Sequence, residues 1–267
     1  MKRAQRACFI TQTLTEDPNR DYPLAFFAEK LGCAKSSVSE DLQIVRQSVE
    51  AAGLGYVETT AGARGGVRYV PYISKEVASP QLVKYGEMLA QPDRMIGSGF
   101  IYTTDLMSDP GFVTLSARVF ARRFAAVEAD MVVTVETKGI GVAMMTARLL
   151  NMPLVIIRRE AKVSDGSTIS INYFSGSADR IQKMSLSKRA IKPGSRAIII
   201  DDFMRGGGSV KGMQDMLAEF DSRTVGVGVV IVAGKDEQKK IGSYFPIFLY
   251  DDAGAACRVS VNPELVV

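Results

Sequence analysis

Histidine is absent from all 267 residues of the chain, and cysteine occurs only at Cys8, Cys33 and Cys257. Without histidine there is no Ser-His-Asp triad, no Cys-His pair and no histidine-ligated zinc. Any catalysis would rely on carboxylates, Lys, Tyr or a bound metal. Three widely separated cysteines provide neither a disulfide framework nor a metal-binding pattern. They predict free, buried thiols in a reducing cytoplasm.

Long apolar runs are also missing from the sequence. A membrane-spanning helix needs roughly 18 or more consecutive apolar residues, and the basic start of the chain is not followed by a signal-peptide core. We therefore expect a cytoplasmic protein that does not associate with membranes. The chain is 46% hydrophobic, which is enough to build two domains or one large one. A net charge of +4 is compatible with anionic ligands but is too small to demonstrate nucleic-acid binding.

The most informative segment is 198–209, where an apolar strand ends in Asp201 and Asp202 and a run of three glycines follows at 206–208. Carboxylates at a strand end can accept hydrogen bonds from two neighbouring ribose hydroxyls. The glycines let the backbone approach a phosphate closely. Ser209 adds a hydroxyl at the start of the next helix, whose dipole favours an anion. The segment predicts a sugar-phosphate site, and the alternative is a turn that the acid pair merely caps.

From about residue 112 the apolar pattern alternates between helix and strand. Strands are predicted at 131–135, 154–157, 196–200 and 224–232, and helices at 114–129, 140–150 and 210–220. Continuously apolar strands separated by helices indicate an α/β fold with a parallel sheet covered on both faces. Ligands bind beyond the C-terminal ends of such strands.

Two further strand ends carry groups that suit a diphosphate. Thr137, Lys138 and Gly139 follow the first strand and open a helix, whose N–H groups and lysine would bind phosphate oxygens. Arg158 and Lys162 follow the second strand and could neutralise the same group. An ordinary turn and solvated basic side chains are the alternatives.

The first 74 residues have a different pattern. Helices are predicted at 3–14, at 24–31 with Gly32 as the stop, and from Ser36 to about residue 52, where Ser37 and Glu40 have the spacing of a capping box. Two strands around a glycine-rich tip within 56–70 complete the order of a winged helix-turn-helix. The predicted domains are 1–74 for DNA binding and 75–267 for ligand binding, with a connection at 74–79 and a short helix at 81–90. A small helical cap on an enzyme is the alternative.

Placement of charge, rather than net charge, favours DNA binding, because residues 1–74 contain nine Lys or Arg and eight Asp or Glu. The basic residues near the chain start and in the wing suit phosphate contacts, and the serines that open the third helix suit base edges. The predicted DNA contacts are Lys2, Arg3, Arg6, Lys35, Ser36, Ser37, Ser39, Arg64 and Arg68.

The acids precede the glycines, unlike in a Walker loop or a dinucleotide-binding loop. This order resembles the phosphoribosyl diphosphate (PRPP) motif of type I phosphoribosyltransferases. Combined with the winged helix, the whole chain resembles the purine operon repressors of Gram-positive bacteria. The stretches that carry the resemblance are 35–42, 137–140, 166–173, 180–185 and 201–209.

The resemblance implies a dimeric regulator that binds operator DNA of purine genes. Its effector is PRPP, bound without turnover, and guanosine tetraphosphate (ppGpp) competes for the same pocket. The acid pair would hold the ribose hydroxyls and the glycine loop the 5′-phosphate, while the segment after residue 158 resembles a mobile loop that closes over the diphosphate. The implied PRPP site comprises Asp201, Asp202, Phe203, Met204, Arg205, Gly206, Gly207, Gly208, Ser209, Thr137, Lys138, Gly139, Arg158 and Lys162.

The segment 99–105 resembles the part of the family that closes the base side of the site, where Tyr102 and Phe203 could stack on guanine. Mg²⁺ can accompany a diphosphate, although the sequence contains no metal-ligand cage. In hypoxanthine-type enzymes a carboxylate lies three residues beyond the second acid. Arg205 occupies that position here and disfavours catalysis.

Two rival hypotheses remain. One is a purine phosphoribosyltransferase with an accessory N-terminal cap, and the other is a nucleic-acid-binding protein whose second domain only dimerises. The operator sequence and the sign of the effector response are not encoded in these patterns.

Overall fold

The computed structural model describes residues 1–60, 65–96, 100–175, 180–234, 239–251 and 258–267. It confirms the predicted α/β class with an N-terminal winged helix-turn-helix. The N-terminal part consists of α1 (Arg3–Glu16), α2 (Leu24–Leu31), α3 (Lys35–Ala51) and an antiparallel pair, β1 (Gly55–Thr59) and β2 (Val67–Pro71).

The N-terminal helices pack around the apolar face of α3. Its residues Val38, Leu42, Val45 and Val49 are all buried, which confirms the face that their spacing predicts. The predicted capping box at Ser37 is wrong. The helix already begins at Lys35, so Ser37 lies within its first turn, and Ala34 at the N-cap has no side-chain acceptor.

The predicted connection at 74–79 is also wrong, because these residues belong to α4 (Lys75–Leu89). Ser74 caps this helix by accepting a hydrogen bond from the N–H of Val77 at 3.3 Å. Pro80 lies in the second turn, where its ring costs the helix one backbone hydrogen bond. This cost is tolerated because the helix packs its apolar side chains into the main core.

Helix α5 (Pro110–Phe124) starts four residues before the predicted helix and ends five residues earlier. Asp109 fixes the start by accepting a hydrogen bond from the N–H of Phe112 at 2.7 Å, and Pro110 occupies the first turn. The prediction that Phe120 and Phe124 face inward is confirmed, since both are buried.

The central sheet has six strands in the order β12-β11-β10-β9-β5-β6. Its strands are β5 (Met131–Val135), β6 (Leu154–Ile157), β9 (Arg196–Met204), β10 (Arg223–Ala233), β11 (Phe245–Asp251) and β12 (Arg258–Val261). All neighbours run parallel except β12, which is antiparallel to β11. Two helices follow strands directly: α6 (Ile140–Leu150) follows β5, and α7 (Gly208–Ala218) follows β9.

Both faces of the sheet are covered, which explains why its strands are continuously apolar. On β9, Ile198 and Ile200 pack with α4, α5 and α6, whereas Ala197 and Ile199 pack with α7. Two short strands, β3 (Met95–Ile96) and β4 (Phe100–Ile101), lie before α5.

A long antiparallel pair, β7 (Thr168–Ser175) and β8 (Arg180–Ser187), lies outside the sheet. This hairpin packs on α7 through Tyr173 and Met184. The packing depends on Gly212, because a Cβ at that position would lie 2.9 Å from the Tyr173 ring and 3.1 Å from the Met184 sulfur.

The prediction of buried thiols is wrong for Cys8, which is exposed, and Cys33 is half-buried. Cys257 lies outside the described residues. Among the helices in the described part of the chain, none combines the length and apolar character needed to cross a membrane.

Candidate functional site

The acid pair lies near the C-terminal end of β9, beyond the last residue that pairs with β5 and at a point where β9 is still paired with β10. Asp201 is buried and its Oδ1 accepts a hydrogen bond from the N–H of Asp202 at 3.0 Å, while Asp202 is half-buried. Burial raises the pKa of the Asp201 carboxyl well above its ordinary value, and the neighbouring Asp202 adds to this rise. Burial also raises the pKa of Asp202. The pair is thus poorly hydrated, and hydroxyl donors from a ligand would replace the missing water.

The glycine loop joins the end of β9 to α7. Gly207 has φ 75, a left-handed conformation that favours glycine, and it precedes the first residue of the helix. As a glycine it has no side chain to cap the helix, so the first N–H groups of α7 are free to meet an anion. The loop borders a small cavity lined by residues 203–210 and Asp201.

The segment before β11 fixes the backbone of this loop through hydrogen bonds. The N–H of Lys240 donates to the carbonyl of Gly206 at 3.0 Å, and the ammonium of Lys239 donates to the carbonyl of Arg205 at 2.6 Å. The same ammonium also contacts the carbonyl of Ala233. A phosphate would therefore meet a loop whose backbone is already positioned.

The loop after β5 approaches the acid pair closely. The Glu136–Thr137 peptide is cis, and Thr137 and Lys138 are exposed. Gly139 is buried and packs closely against the end of β9. A Cβ at this position would lie 3.0 Å from the Thr134 hydroxyl and 3.3 Å from the Asp202 nitrogen. Because Gly139 has no side chain, this loop and the acid pair can lie side by side in one wall of the cleft.

A second wall comes from residues 100–105, which begin with β4. Arg94 clamps this segment with two hydrogen bonds to Asp105, at 2.8 and 2.7 Å, and a third to the carbonyl of Tyr102 at 3.2 Å. The clamp presents Phe100, Ile101 and Thr103 to the cleft. The guanidinium of Arg205 lies over the Phe100 ring, 5.6 Å from its centroid, and so joins the two walls.

Together these parts form a cleft of about 340 Å³ at the C-terminal edge of the sheet. Its charged residues are the carboxylates Asp201, Asp202 and Glu136 and the cations Lys138 and Arg159, and Phe100, Ile101 and Phe203 add apolar surface. Their charges act on one another, because Lys138 lowers the pKa of Asp202 and Arg159 lowers that of Asp201, both against the larger effect of burial. The lining residues are Phe100, Ile101, Thr103, Val135, Glu136, Thr137, Lys138, Arg159, Asp201, Asp202, Phe203 and Ser209.

Most of the residues predicted for this site therefore lie together. Asp201, Asp202, Phe203, Ser209, Thr137 and Lys138 line the cleft, and residues 204–208 line the adjoining cavity. Met204 is buried beneath the loop, so only its backbone is available.

Four predicted residues lie outside the lining, one of which is Gly139, the glycine packed against the acid pair. Arg158 pairs through its backbone with Ser185 of β8, with hydrogen bonds of 3.0 and 2.7 Å. Lys162 is exposed beyond the cleft, and the exposed Tyr102 supports the wall through its backbone rather than its ring.

Arg159 takes the position expected of Arg158, and its N–H donates to Glu136 Oε1 at 2.7 Å. The sequence offers the pair Arg158-Arg159 but does not show which one faces the cleft. The pairing with Ser185 decides this, and that contact joins residues far apart in the chain.

Three of the residues predicted to contact DNA form ion pairs with acidic residues of the protein itself. The guanidinium of Arg6 binds Asp41, whose side chain is fully buried, and that of Arg68 binds Glu58 at 2.8 and 2.6 Å across the wing. Arg3 is exposed but lies 3.5 Å from Asp41 and 3.8 Å from Glu40. Arg64 lies outside the described residues.

Of the remaining predicted contacts, Lys35, Ser36 and Ser39 form an exposed polar stripe on α3 with two residues that were not predicted. Lys2 is exposed near the start of α1, and Ser37 is half-buried. Along α3 the exposed residues recur at intervals of three and four, which places them on one side of the helix. The stripe on α3 consists of Lys35, Ser36, Ser39, Gln43 and Gln47.

Two family models match the chain. Residues 2–71 match the N-terminal part of the bacterial purine repressor, and residues 104–260 match the phosphoribosyl transferase domain. The predicted domain boundary between residues 74 and 75 lies between these matches and stays a prediction.

The relatives that match over most of the chain are regulators by name, whereas a xanthine phosphoribosyltransferase of Oenococcus oeni is 30% identical over 141 residues, which are 51% of this chain and 68% of that protein. The chain is 42% identical over 246 residues to the purine biosynthesis transcriptional repressor PurR of Bacillus subtilis, covering 92% of this chain and 86% of that protein. It is 36% identical over 265 residues to the purine biosynthesis transcriptional activator PurR of Lactococcus lactis, covering 99% and 97%. Among solved structures, an adenine phosphoribosyltransferase from Thermoanaerobacter pseudethanolicus matches with a TM-score of 0.53 at 19% identity, over 62% of this chain and 96% of that one. The last match shows a shared fold.

Proposed function

Because the chain belongs to the family of bacterial purine repressors that carry a phosphoribosyl transferase domain, we propose that it regulates transcription of purine biosynthesis genes. It binds operator DNA through its N-terminal helices and senses PRPP in the cleft. High PRPP signals demand for purines and changes the affinity of the protein for its operator. One relative is named a repressor and another an activator, so the sign of the response is left to experiment.

The observation that carries the proposal is the meeting of three groups at one sheet edge. A ribose with two free hydroxyls suits Asp201 and Asp202, a 5′-phosphate suits the loop at the start of α7, and a diphosphate suits Lys138 and Arg159. PRPP has all three groups. In the described residues no cluster of three or more His, Cys, Asp or Glu side chains could hold a metal ion. Any Mg²⁺ would be shared between the diphosphate and the carboxylate oxygens.

The apolar surface of the cleft supports a competing ligand. A guanine base would lie against Phe203 and Phe100, with Tyr102 behind the wall rather than stacked on the base. We propose that ppGpp occupies this side while its phosphates use the same basic groups as PRPP, so that binding of one excludes the other.

A regulator is favoured over an enzyme by the residue at 205. A catalytic acid or base there would need a group that exchanges protons near neutral pH, and arginine stays charged. Arg205 instead lies over Phe100. The enzyme hypothesis predicts release of pyrophosphate when PRPP is mixed with a purine base, and a sustained turnover would establish it.

At the other end of the molecule, the α3 stripe is free to enter a major groove, and two copies related by a twofold axis would read two half-sites. Serine and glutamine side chains are suited to base edges, and Lys2 and Lys35 to phosphates. We therefore include a homodimer in the proposal.

The test combines calorimetry with DNA binding. Wild-type protein should bind PRPP with measurable heat, and saturating PRPP should change its affinity for DNA from upstream of its purine genes. Asp201→Asn with Asp202→Asn should weaken PRPP binding and leave DNA binding without PRPP unchanged. Absence of heat would favour a second domain that only dimerises, and loss of DNA binding in the double variant would mean that the two sites are misassigned.

A further inference from the structure

Resting on the function proposed above, we propose that α6 transmits PRPP binding to the DNA-binding helices, and that Asn19 and Arg148 are the residues that connect it to them. The proposal concerns regulation of the cleft. It is carried by contacts at the two ends of this one helix.

The first end of α6 belongs to the ligand site. Gly139 is its N-cap, and the N–H of Ala143 donates to the carbonyl of Gly139 at 2.9 Å. The loop at residues 137–139, called the diphosphate loop from here on, is therefore joined to the helix by a backbone hydrogen bond. A ligand that draws residues 137–139 toward its phosphates also displaces the start of the helix.

The body of α6 is a short rigid element. It has 11 residues, which corresponds to a length of roughly 16 Å at about 1.5 Å per residue. Val142, Ala143 and Ala147 are buried in the main core, where close packing resists bending. Displacement of one end of α6 should therefore displace the other end as well.

The second end of α6 is bound to the segment that links α1 and α2. The side-chain amide of Asn19 donates to the carbonyl of Leu149 at 2.7 Å, and this carbonyl lies in the last turn, where helical partners are missing. The guanidinium of Arg148 donates to Glu16 Oε2 at 2.9 Å. Residues more than 120 positions apart in the chain thus complete the end of this helix.

Asn19 is also bound to the wing. Its backbone N–H donates to the carbonyl of Tyr69 in β2 at 2.8 Å, and the neighbouring Tyr22 exchanges two backbone hydrogen bonds with Val67, at 2.9 and 2.8 Å. One residue therefore contacts the end of α6 with its side chain and a wing strand with its backbone. Asn19 has φ 57, so its backbone conformation fixes the direction of both contacts.

The contacts define two states that a ligand can select. With the Asn19–Leu149 bond made, the wing follows the end of α6. With the bond broken, the wing is released from it. PRPP changes DNA affinity to the extent that it favours one state over the other.

The test uses the full chain as wild type and in two variants, one double and one single. Asn19→Gly removes the amide but keeps the left-handed backbone, and it is combined with Arg148→Gln, which removes the ion pair. Asn151→Gly is the matched control. Asn151 has φ 56 at the end of α6, and its side chain makes no hydrogen bond to the rest of the described residues. The measured quantity is the ratio of DNA Kd with and without saturating PRPP, using duplex DNA from upstream of the purine genes, with the PRPP Kd measured in parallel.

For wild type we expect a ratio on the order of tenfold, a typical size for coupling between two sites. The double variant, which cannot make the Asn19–Leu149 bond, should still bind both PRPP and DNA, but its DNA Kd should change by less than about threefold on addition of PRPP, and the control should keep the wild-type ratio. A wild-type ratio in the double variant overturns the proposal and leaves the proposed function standing. Equal loss in the control also overturns it, because any weakening of the helix end would then suffice. A wild-type protein that ignores PRPP refutes the proposed function and this coupling together.

Discussion

The guanidinium of Arg6 holds the carboxylate of Asp41, with Nε 2.6 Å from Oδ2 and Nη2 3.2 Å from Oδ1. Asp41 is fully buried in α3, and Arg6 comes from α1. A buried carboxylate that loses its cationic partner is left without compensation for its lost hydration. The pair therefore ties the two helices together, and its main role is to orient α3, the helix proposed to contact DNA.

This relationship separates Arg6 from Lys35, although both are basic and both were predicted to contact phosphates. Arg6→Gln should lower the Tm by about 5 °C or more, the scale expected for uncovering a buried charge in a small domain. The slope of log affinity against log salt for DNA binding should not change. Lys35→Gln should leave the Tm unchanged and reduce that slope by about 0.9, the value for one lost phosphate contact. The reverse result would mean that Arg6 contacts DNA.

Local patterns were sufficient for the elements whose signal lies within a few residues. The apolar run of β9 with its acid pair and glycine loop identifies the ligand edge, because strand, acids and helix start are consecutive. The apolar face of α3 and the left-handed Gly32 likewise identify the helix-turn-helix. In each case the physical cause of the structure is contained in the segment itself.

The remaining features depend on partners distant in sequence. Nothing near Arg6 or Arg68 indicates that each is neutralised by an acid on another element. The helix at 75–79 survives Pro80 because its apolar face is buried against the sheet. The choice of Arg159 over Arg158 follows from a bridge to β8. Periodicity and capping rules do not contain these contacts.

The two adjacent arginines provide a direct comparison of sequence and structure. Arg159→Met removes a guanidinium that lines the cleft and acts on Asp201, and we expect PRPP affinity to fall about tenfold or more, as for loss of a charge-assisted hydrogen bond. Arg158→Met should change PRPP affinity by less than about twofold because that side chain is outside the lining. Calorimetry with PRPP measures both. A larger loss of PRPP affinity in Arg158→Met than in Arg159→Met would mean that Arg158 contacts the diphosphate.

The close approach of Gly139 to Thr134 and Asp202 leads to a second prediction about the cleft. A Cβ there would lie 3.0 Å from the Thr134 hydroxyl and 3.3 Å from the Asp202 nitrogen, so Gly139→Ala must push the diphosphate loop away from the acid pair. We expect PRPP affinity to fall about tenfold, because the groups that hold the two ends of the ligand would no longer be in register. Gly242→Ala is the control, since a Cβ at that position has no neighbour within 4 Å among the described residues. Equal affinities for the two variants would show that the loop adjusts freely.

Burial of Asp201 predicts that the acid pair stabilises the ligand complex at the expense of the ligand-free fold. Burial raises the pKa of this carboxyl above the ordinary value of 3.8, so between that value and its raised pKa the folded protein binds more protons than the unfolded chain. The free energy of unfolding therefore falls as the pH rises through this window, and the full cost of the buried charge is reached above the raised pKa. Asp201→Asn keeps the shape and removes the charge. We expect the variant to have a higher Tm than wild type without ligand, by a few degrees at pH 8 and by less at pH 5.

The comparison needs an exposed carboxylate as a control, and Asp93→Asn serves because Asp93 is exposed in the short 3-10 helix before β3. Its Tm should follow wild type at both pH values. With PRPP present the order should invert, because the variant has lost an acceptor for a ribose hydroxyl and gains less from the ligand. Thermal unfolding at two pH values, with and without PRPP, gives all these quantities. If Asp201→Asn were less stable than wild type at pH 8 without ligand, Asp201 would be a structural anchor of β9, and the account of a carboxylate held at a cost for its ligand would be wrong.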